Sequence, residues 1–452
     1  MIEATTDGPD QSSENVPSDA GSVHAKESKD GAGRRSPVAA IAGSIVAGLL
    51  LALALVLGPA ADGSEAVITG SVLFAFGVGW GLMAYTTGRF SSQPQRWTLV
   101  PAAVLGLIGL GLVLVQPGAA GMDVLGWIWP PPIAALVVWM IGQARADLHG
   151  RGRLLVLPLI ATLLVLTLGG ATAAVLGATA DDGKLEAGQR VDVGGRRLYL
   201  ECHGTGTPVV VLEIGLGGSG ADWGRVVPGV ADSTTVCAYD RAGHGRSDPA
   251  PSPQDGSAIA EDLHMLLDRA GIAGRYVLAA HSSGGPYMRV FAARYPDEVA
   301  GMVLIDAQPA DAFTALPDYP GFYRVYRLLM SLAPSLARVG VGIPILGSPT
   351  DPTGVKTARM TRDEVRALPE ALRQAQELTS IGDRPLIVLS AGSGQPGWSA
   401  AQDRSVGLST NAAHRVVANG THDSLITGAD AVASSQAILD VVASVRSGSP
   451  VR

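Results

Sequence analysis

The chain has 452 residues, of which 40 are acidic and 33 basic, and its formal net charge at pH 7 is −7. It has no basic stripe of the kind that binds nucleic acid and no repeats at solenoid spacing. With 47% apolar residues, a chain of this length can bury a sizeable core and has room for more than one structural unit.

The beginning of the chain differs from the rest in composition. Residues 1–37 are rich in Ser, Gly, Asp, Glu and Lys and contain few sizeable apolar side chains. Such a segment cannot bury enough surface to offset the entropy lost on ordering, so we expect a disordered tail. It is also too long and too polar to be the amino-terminal region of a cleaved signal peptide.

Residues 38–177 form a strongly apolar region. These 140 residues include only nine Asp, Glu, Lys or Arg side chains, which fall at or between the ends of apolar blocks. Each block is near the ~20 residues that an α-helix needs to cross ~30 Å of hydrocarbon, whereas buried helices of soluble proteins rarely run so long without charge. The prolines of WPPPIA, residues 129–134, must bend or break the fourth block. The sequence therefore predicts five membrane spans, at 38–58, 66–86, 98–116, 124–143 and 153–177.

The positions of Lys and Arg predict the orientation of these spans. They occur in the amino-terminal tail, in the loop after the second span and in the loop after the fourth, whereas the loops around Asp62 and Asp123 contain none. Positively charged loops favour the cytoplasmic side. We therefore expect an integral membrane protein with a cytoplasmic tail and an extracytoplasmic domain from residue 178. No span has a charged residue near its middle, so the spans are predicted to anchor the protein and not to conduct ions.

From residue 178 onward, predicted strands alternate with predicted helices. Two runs joined at Gly194 and Gly195 are typical of a hairpin. This order favours an α/β fold with a largely parallel sheet that helices cover on both faces. Strands are predicted at 208–215, 234–240, 275–280, 301–306, 385–390 and 414–418, and helices at 256–271, 286–294 and 429–446.

The segment YVLAAHSSGGPYM, residues 276–288, joins a predicted strand to a predicted helix. A turn this tight strains the backbone of its tip residue and requires small side chains two positions to either side. Ser282 meets this condition, because Ala280 and Gly284 flank it. With Ser283 at the tip, the imidazole of His281 would not fit. We therefore predict that Ser282 is the tip residue.

Residues 190–447 resemble the α/β-hydrolase family. The family's nucleophile elbow is Gly-x-Ser-x-Gly, and the corresponding segment here is AHSSG, in which Ala280 replaces a glycine. YDRAGHGRSD (239–248) resembles the loop after the family's fourth strand, EIGLGGSGADW (213–223) its oxyanion loop, and NGTHDSLI (419–426) the loop of its catalytic histidine. The resemblance implies the α/β-hydrolase fold, a mostly parallel eight-stranded sheet with a helical cap, here preceded by about five transmembrane helices.

The resemblance also implies catalysis by a serine that a histidine activates and an acid orients. Ser282 is the implied nucleophile and His422 the base. The acid is expected after the strand that follows the elbow helix, which gives Asp306, or after the next strand, where Asp403 is the nearest carboxylate downstream. The chain order Ser282, Asp306, His422 favours Asp306. Asp423 is too close in sequence to His422 to orient it easily.

The remaining histidines that compete for the role of base have other predicted roles. His281 is next to the nucleophile on the strained turn, so its side chain is expected to point elsewhere. His264 lies on a predicted helix and His414 begins a predicted strand, which favours structural or surface roles. His244 belongs to the GHG loop, and we expect at most a supporting role for it.

By the same resemblance, the main-chain N–H groups of Leu216 and Ser283 would form an oxyanion hole, in which each donor lowers the barrier by roughly 3 kcal/mol. The second and fourth strands of this fold are neighbours, which brings Cys202 and Cys237 close enough for a possible disulfide. An extracytoplasmic location would permit that bond. The implied chemistry requires no metal and no cofactor.

Residues 307–384 are many more than a plain loop between two strands needs. The segments 322–346 and 361–378 have apolar residues at helical spacing. By resemblance, this insertion is a cap over the active site. Its apolar wall suggests an acyl or other hydrophobic substrate.

The sequence thus favours a membrane-anchored serine hydrolase that cleaves a carboxylic ester or related acyl bond of a small-molecule or lipid-like substrate through an acyl-enzyme on Ser282. The sequence does not indicate a protein partner. Two alternative functions stay open. One is a catalytically inactive, hydrolase-like receptor or scaffold. The other is a Rossmann-type oxidoreductase, because GLGGSG at 215–220 fits Gly-x-Gly-x-x-Gly after a strand and Asp240 ends a later strand.

Overall fold

The computed structural model describes residues 36–179, 188–250, 253–341, 351 and 353–451. Residues 1–35, which make up most of the predicted disordered tail, lie outside this range. The described chain consists of an apolar helical bundle and an α/β domain, and helices of the two parts contact each other.

The apolar region forms six helices. Their bounds are Pro37–Leu57 (α1), Glu65–Phe90 (α2), Leu99–Val115 (α3), Ala119–Ile128 (α4), Pro130–Asp147 (α5) and Arg151–Thr179 (α6). Within the described residues, four helices are long and apolar enough to cross a membrane: α1, α2, α3 together with the short turn before it, and α6. The pair α4 and α5 is a fifth candidate if it counts as one span. This pair is bent by 45° at Trp129, directly before three prolines, as the segment WPPPIA predicts.

Within the part of the chain that the structure describes, eight strands form one sheet in the order β1-β2-β4-β3-β5-β6-β7-β8. The first two form the predicted hairpin and β2 pairs with β4 antiparallel, whereas all other pairs are parallel. The predicted mostly parallel, eight-stranded sheet is therefore confirmed, and the carboxyl ends of its parallel strands share one edge. The strand bounds are Gly188–Asp192, Arg197–His203, Val209–Glu213, Val236–Tyr239, Tyr276–His281, Val299–Ile305, Leu386–Ala391 and Ala412–Val417.

Helices cover both faces of this sheet. Successive residues of β5 point to opposite faces: Leu278 packs in one core with Leu263 and Phe291, and Val277 packs in the other with Ile438. All of these side chains are fully buried or nearly so. The helices after the bundle are Val227–Ala231 (α7), Gly256–Arg269 (α8), Gly284–Arg294 (α9), Ala312–Ala315 (α10), Tyr319–Arg338 (α11), Val355–Ala375 (α12), Trp398–Val406 (α13) and Ala431–Ser447 (α14).

The two cysteines lie directly opposite each other in the neighbouring strands β2 and β4. Cys202 pairs with Cys237 in the antiparallel register, and a disulfide joins them. The structure therefore contains the cross-link that the resemblance suggested.

Helices α10, α11 and α12 form the insertion between β6 and β7, which we call the cap. α11 covers only the first part of the predicted apolar segment 322–346, since residues 342–350 lie outside the described residues. α12 begins and ends a few residues earlier than the predicted 361–378. Tyr323 and Leu368 of the cap pack in one apolar cluster with Leu216 and Trp398, so the cap rests on the edge of the sheet at which the parallel strands end.

Candidate active site

Ser282 lies on a sharp turn between β5 and α9. Its φ is +56°, a left-handed conformation that is costly for a residue with a side chain. A side-chain carbon on Gly284 would lie 2.6 Å from the carbonyl oxygen of Glu213, so the second residue after the serine has no room for one. Ala280, the second residue before it, is fully buried and has only a methyl group. The turn therefore has the strained tip and the small flanking residues that the sequence predicts.

His422 and Asp306 form a close pair. Nδ1 of His422 is 2.6 Å from Oδ2 of Asp306. Because a carboxylate only accepts hydrogen bonds, the imidazole donates through Nδ1, and its Nε2 is left as an acceptor. The side chain of His422 is 40% exposed, whereas that of Asp306 is 4% exposed. A partly exposed imidazole that a buried carboxylate orients is suited to act as a general base.

Asp306 is held by two further donors. Nε1 of Trp398 donates to its Oδ1 at 2.8 Å, and the main-chain N–H of Ala391 donates to the same oxygen at 3.2 Å. Burial alone would raise the pKa of Asp306, but hydrogen bonds from His422 and Trp398 lower this pKa below its ordinary value. The role of Trp398 was not predicted from the sequence. It ends the segment AGSGQPGW, and a single indole N–H there has no sequence signature that ties it to a carboxylate on another strand.

Asp403, the other candidate acid, pairs with a different histidine. Its Oδ1 is 2.6 Å from Nδ1 of His414, and Nε2 of His414 is 2.7 Å from Oγ of Ser390. These three side chains thus have the hydrogen-bond pattern of a Ser-His-Asp triad. Ser390, however, is 2% exposed and lies within β7, so it lacks the exposed turn that presents a nucleophile to a substrate.

The predicted oxyanion loop packs against Ser282. A side-chain carbon on Gly215 would lie 2.7 Å from Cβ of Ser282. In the described part of the chain, the main-chain N–H groups of Leu216 and Ser283 donate to no other group, so both can serve a ligand. The loop continues into the short turn Gly220–Arg225. It therefore lacks the long helix whose amino terminus binds pyrophosphate in Rossmann folds, which disfavours the oxidoreductase alternative.

A buried arginine fixes this loop. Arg241 is 3% exposed and donates to the carbonyl oxygens of Ile214 at 2.7 Å and of Gly215 at 2.8 Å. It also forms an ion pair with Glu213 at the end of β3. Burial alone would lower the pKa of Arg241, but the carboxylates of Glu364 and Glu213 raise it well above its ordinary value, so the guanidinium stays charged.

The expectation that His281 points away from the site is wrong. Its ring centroid is 4.4 Å from that of His422, and its Nε2 is 3.1 Å from the main-chain oxygen of His422. Since a carbonyl oxygen only accepts, His281 donates this hydrogen bond. His281 is the last residue of β5, and its side chain points toward the loop that carries His422. His281 thus links the turn at Ser282 to the loop of His422.

Comparisons with known proteins agree with this architecture. The family model of the α/β-hydrolase fold matches residues 208–334. RutD of Azorhizobium caulinodans, provisionally described as a carbamate hydrolase, is 34% identical over 117 residues, which cover 26% of this chain and 43% of that protein. An uncharacterised protein of Schizosaccharomyces pombe is 44% identical over 82 residues, which cover 18% of this chain and 15% of that protein. The matched segments therefore span less than half of either relative.

Among solved structures, a thermophilic esterase from Thermogutta terrifontis is 23% identical with a TM-score of 0.43, over 57% of this chain and 98% of the esterase. The support for the fold comes from the family match and from the strand order of the sheet. The domain that follows the apolar helices has the α/β-hydrolase fold.

Proposed function

We propose that the protein is a membrane-anchored serine hydrolase that cleaves a carboxylic ester or a related acyl bond. The observation that carries the proposal is the 2.6 Å contact between His422 and the buried Asp306, next to a strained turn whose tip is Ser282. Three donors, namely His422, Trp398 and the main-chain N–H of Ala391, hold the buried carboxylate of Asp306 in one orientation. A histidine that only stabilised the surface would not need such a precisely oriented partner.

The chemistry follows from these groups. Nε2 of His422 removes the proton from Oγ of Ser282 as this oxygen attacks the carbonyl carbon of the substrate. The N–H groups of Leu216 and Ser283 stabilise the negative charge that forms on the carbonyl oxygen. His422 then returns the proton to the departing alcohol, which leaves an acyl group on Ser282. A water molecule, deprotonated by His422, releases the acyl group as an acid and regenerates the serine.

The membrane location is supported by the helical bundle and its contacts. Arg338 and Arg359 of the cap form ion pairs with Glu65 and Asp123, so the loops before α2 and near the start of α4 are on the same side of the bundle as the hydrolase domain. These loops contain no Lys or Arg, which favours the extracytoplasmic side. In this proposal the amino terminus is cytoplasmic and the hydrolase domain is extracytoplasmic.

The cap favours a substrate with an apolar acyl group. Phe313, Tyr319, Tyr323 and Tyr326 of the cap belong to the apolar cluster that includes Leu216 of the oxyanion loop. An aromatic wall next to the donors of an oxyanion hole suits an acyl chain or ring better than a charged group. Because one relative is named for carbamates, a substrate panel includes carbamates as well as esters.

The experiment is labelling of isolated membranes with a fluorophosphonate probe, which reacts with activated serines. We expect labelling of the native protein and of Ser283→Ala and Ser390→Ala, and no labelling of Ser282→Ala. Ser283→Ala is a sharp control because it removes only a buried hydroxyl and keeps the main-chain N–H. Ser390→Ala tests the second Ser-His-Asp arrangement. No labelling of folded native protein would favour the inactive receptor, and loss in Ser283→Ala alone would contradict the assignment of the tip.

A further inference from the structure

Helix α11 of the cap exposes large apolar side chains along one face and buries a serine on the other side. Four large apolar residues are 46–61% exposed: Phe322, Val325, Leu329 and Leu336. At about 100° per residue they lie within about 60° of one another around the helix. On the opposite side, Ser331 is only 1% exposed and donates to the carbonyl oxygen of Arg327 at 2.9 Å. A helix that faced water with its outer side would show the reverse distribution.

The carboxyl-terminal half of α11 lies beside the apolar bundle and not above it. Oγ of Ser335 is 2.8 Å from Oγ1 of Thr69. At 1.5 Å per residue, Thr69 lies about 6 Å along the axis of α2 from the start of that helix. A side-chain carbon on Gly169 would lie 2.2 Å from the carbonyl oxygen of Val339. Gly169 is about 15 Å along α6 from the end of that helix. The end of α11 is therefore at a level where the bundle is still apolar.

The cations at this junction are paired. Arg338 at the end of α11 is 2.9 Å from Asp123 and also pairs with Glu65. Arg359 of α12 is 2.6 Å from the same glutamate and 2.9 Å from the same aspartate. Two arginines thus meet two carboxylates, so these four described groups together add no net charge that would oppose contact with an apolar phase.

We propose that the exposed face of α11 is bound by the acyl chains of the extracytoplasmic leaflet, so that the cap helix is part of the lipid-facing surface of the protein. The inference rests on the membrane location proposed above. The occupant follows from continuity: exposed apolar residues of α6, Val165, Leu168 and Val175, belong to a helix that α11 contacts. A helix with such an apolar face and with Arg324 exposed on nearly the opposite side is typical of helices that lie in the plane of a membrane interface.

The opposite face of the same helix reaches the candidate active site. Tyr323 is 6% exposed and packs with Leu216 and Trp398 in the apolar cluster of the cap, and its hydroxyl donates to the carbonyl oxygen of Val365 at 2.9 Å. One helix therefore separates lipid from the site, and the substrate class that this arrangement favours is an amphiphilic ester whose acyl chain resides in the bilayer.

The test uses site-directed spin labels in the full-length protein. Its only two cysteines are Cys202 and Cys237, which form the disulfide, so a new cysteine is the one available thiol. Leu329→Cys and Leu336→Cys report on α11, and Leu168→Cys reports on a candidate membrane span. Val432→Cys is the control for an apolar residue in water, because Val432 lies on α14 and is 75% exposed. Each variant is labelled and reconstituted in nanodiscs of phosphatidylcholine and phosphatidylglycerol. Collision rates with oxygen and with nickel(II) ethylenediaminediacetate are then measured.

We expect Leu329→Cys and Leu336→Cys to match Leu168→Cys, with high oxygen and low nickel collision rates, and to differ from Val432→Cys. Nickel collision rates at α11 equal to those at Val432 would overturn the proposal. Spin–spin broadening would also overturn it, because it would show that a second copy covers this face. If Leu168→Cys itself contacts water, the membrane location fails. If α11 contacts lipid while the fluorophosphonate does not react, the proposed activity fails and the lipid surface stands.

Discussion

Glu364 of the cap helix α12 accepts a hydrogen bond from the main-chain N–H of Gly217 at 3.1 Å, and the same carboxylate accepts another from Nε of Arg241 at 2.6 Å. Gly217 directly follows Leu216, whose N–H is a proposed oxyanion donor. Burial alone would raise the pKa of Glu364, but Arg241 and His244 beside it hold this pKa well below its usual range. The cap therefore carries a permanent charge that orients the oxyanion loop.

Glu364→Gln is expected to lower kcat about 10- to 100-fold with little change in KM, since an oxyanion donor acts mainly in the transition state. Affinity for a trifluoromethyl ketone, which forms a tetrahedral adduct on the serine, should fall by a similar factor. Glu370→Gln is the matched control, because Glu370 lies on the same helix and, among the described residues, pairs only with neighbours on that helix. Unchanged kcat in Glu364→Gln would refute the positioning role.

The two candidate acids can be separated by matched substitutions. Asp306→Asn should lower kcat about 10⁴-fold, because the imidazole loses the acceptor that sets its tautomer. Asp403→Asn should leave kcat within about twofold, since Asp403 contacts His414 and is mostly exposed; surface changes of this kind have small effects. Hydrolysis of a p-nitrophenyl ester measures both. A large loss in Asp403→Asn would reverse the assignment.

Trp398→Phe tests the indole that donates to Asp306. The change removes one hydrogen bond to a buried carboxylate, which lowers the free energy of unfolding by about 1–3 kcal/mol. This hydrogen bond helps to lower the pKa of Asp306. Its loss leaves a more basic carboxylate that stabilises the protonated imidazole of His422 more strongly, so the acidic limb of the pH profile of kcat, where the base becomes protonated, should move to higher pH. Trp127→Phe, at a half-exposed tryptophan of the bundle, should leave the limb in place. A fall in kcat without movement of the limb would indicate a packing role only.

We expect His281 to make the stability of the hydrolase domain depend on pH. Burial and the neighbouring His422 lower the pKa of His281 from 6.5 to about 3. The unfolded chain binds this proton near pH 6.5 and the folded chain does not, so the stabilisation is present above pH 6.5 and is lost as the pH falls toward 3. At pH 5 the loss is about 1–2 kcal/mol.

His281→Gln should remove this dependence, because the amide can still donate to the main-chain oxygen of His422 but does not titrate. Thermal unfolding in nanodiscs at pH 7 and pH 5 measures the difference, with His203→Gln, an exposed histidine of β2, as the control. Equal sensitivity to acid in the native protein and in His281→Gln would contradict the role of His281.

The sharp turn at Ser282 and the sheet could be predicted because their signals are local. Ser282 is flanked by small residues within one short segment, and each buried strand is a continuous apolar run. The roles of Trp398 and Glu364 depend on contacts across 92 and 147 residues of sequence, and no local pattern specifies such partners. Hydrogen-bond distances alone can also mislead. The side chains of Ser390, His414 and Asp403 have the distances of a catalytic triad, but Ser390 is not on an exposed turn, so these distances do not identify a nucleophile.

The ion pairs of Arg338 and Arg359 with Glu65 and Asp123 have a consequence for any attempt to study the catalytic half by itself. A fragment that begins at β1 would keep both arginines and lose both carboxylates, and it would also uncover the part of α11 that packs on the bundle. Its cap would then expose two unpaired arginines next to apolar side chains. Such a surface is expected to adsorb to anionic detergents and membranes. Severing the helices would therefore change the charge and the packing of the element that orients the oxyanion loop, and the hydrolase domain and the helical bundle are best regarded as one folding unit.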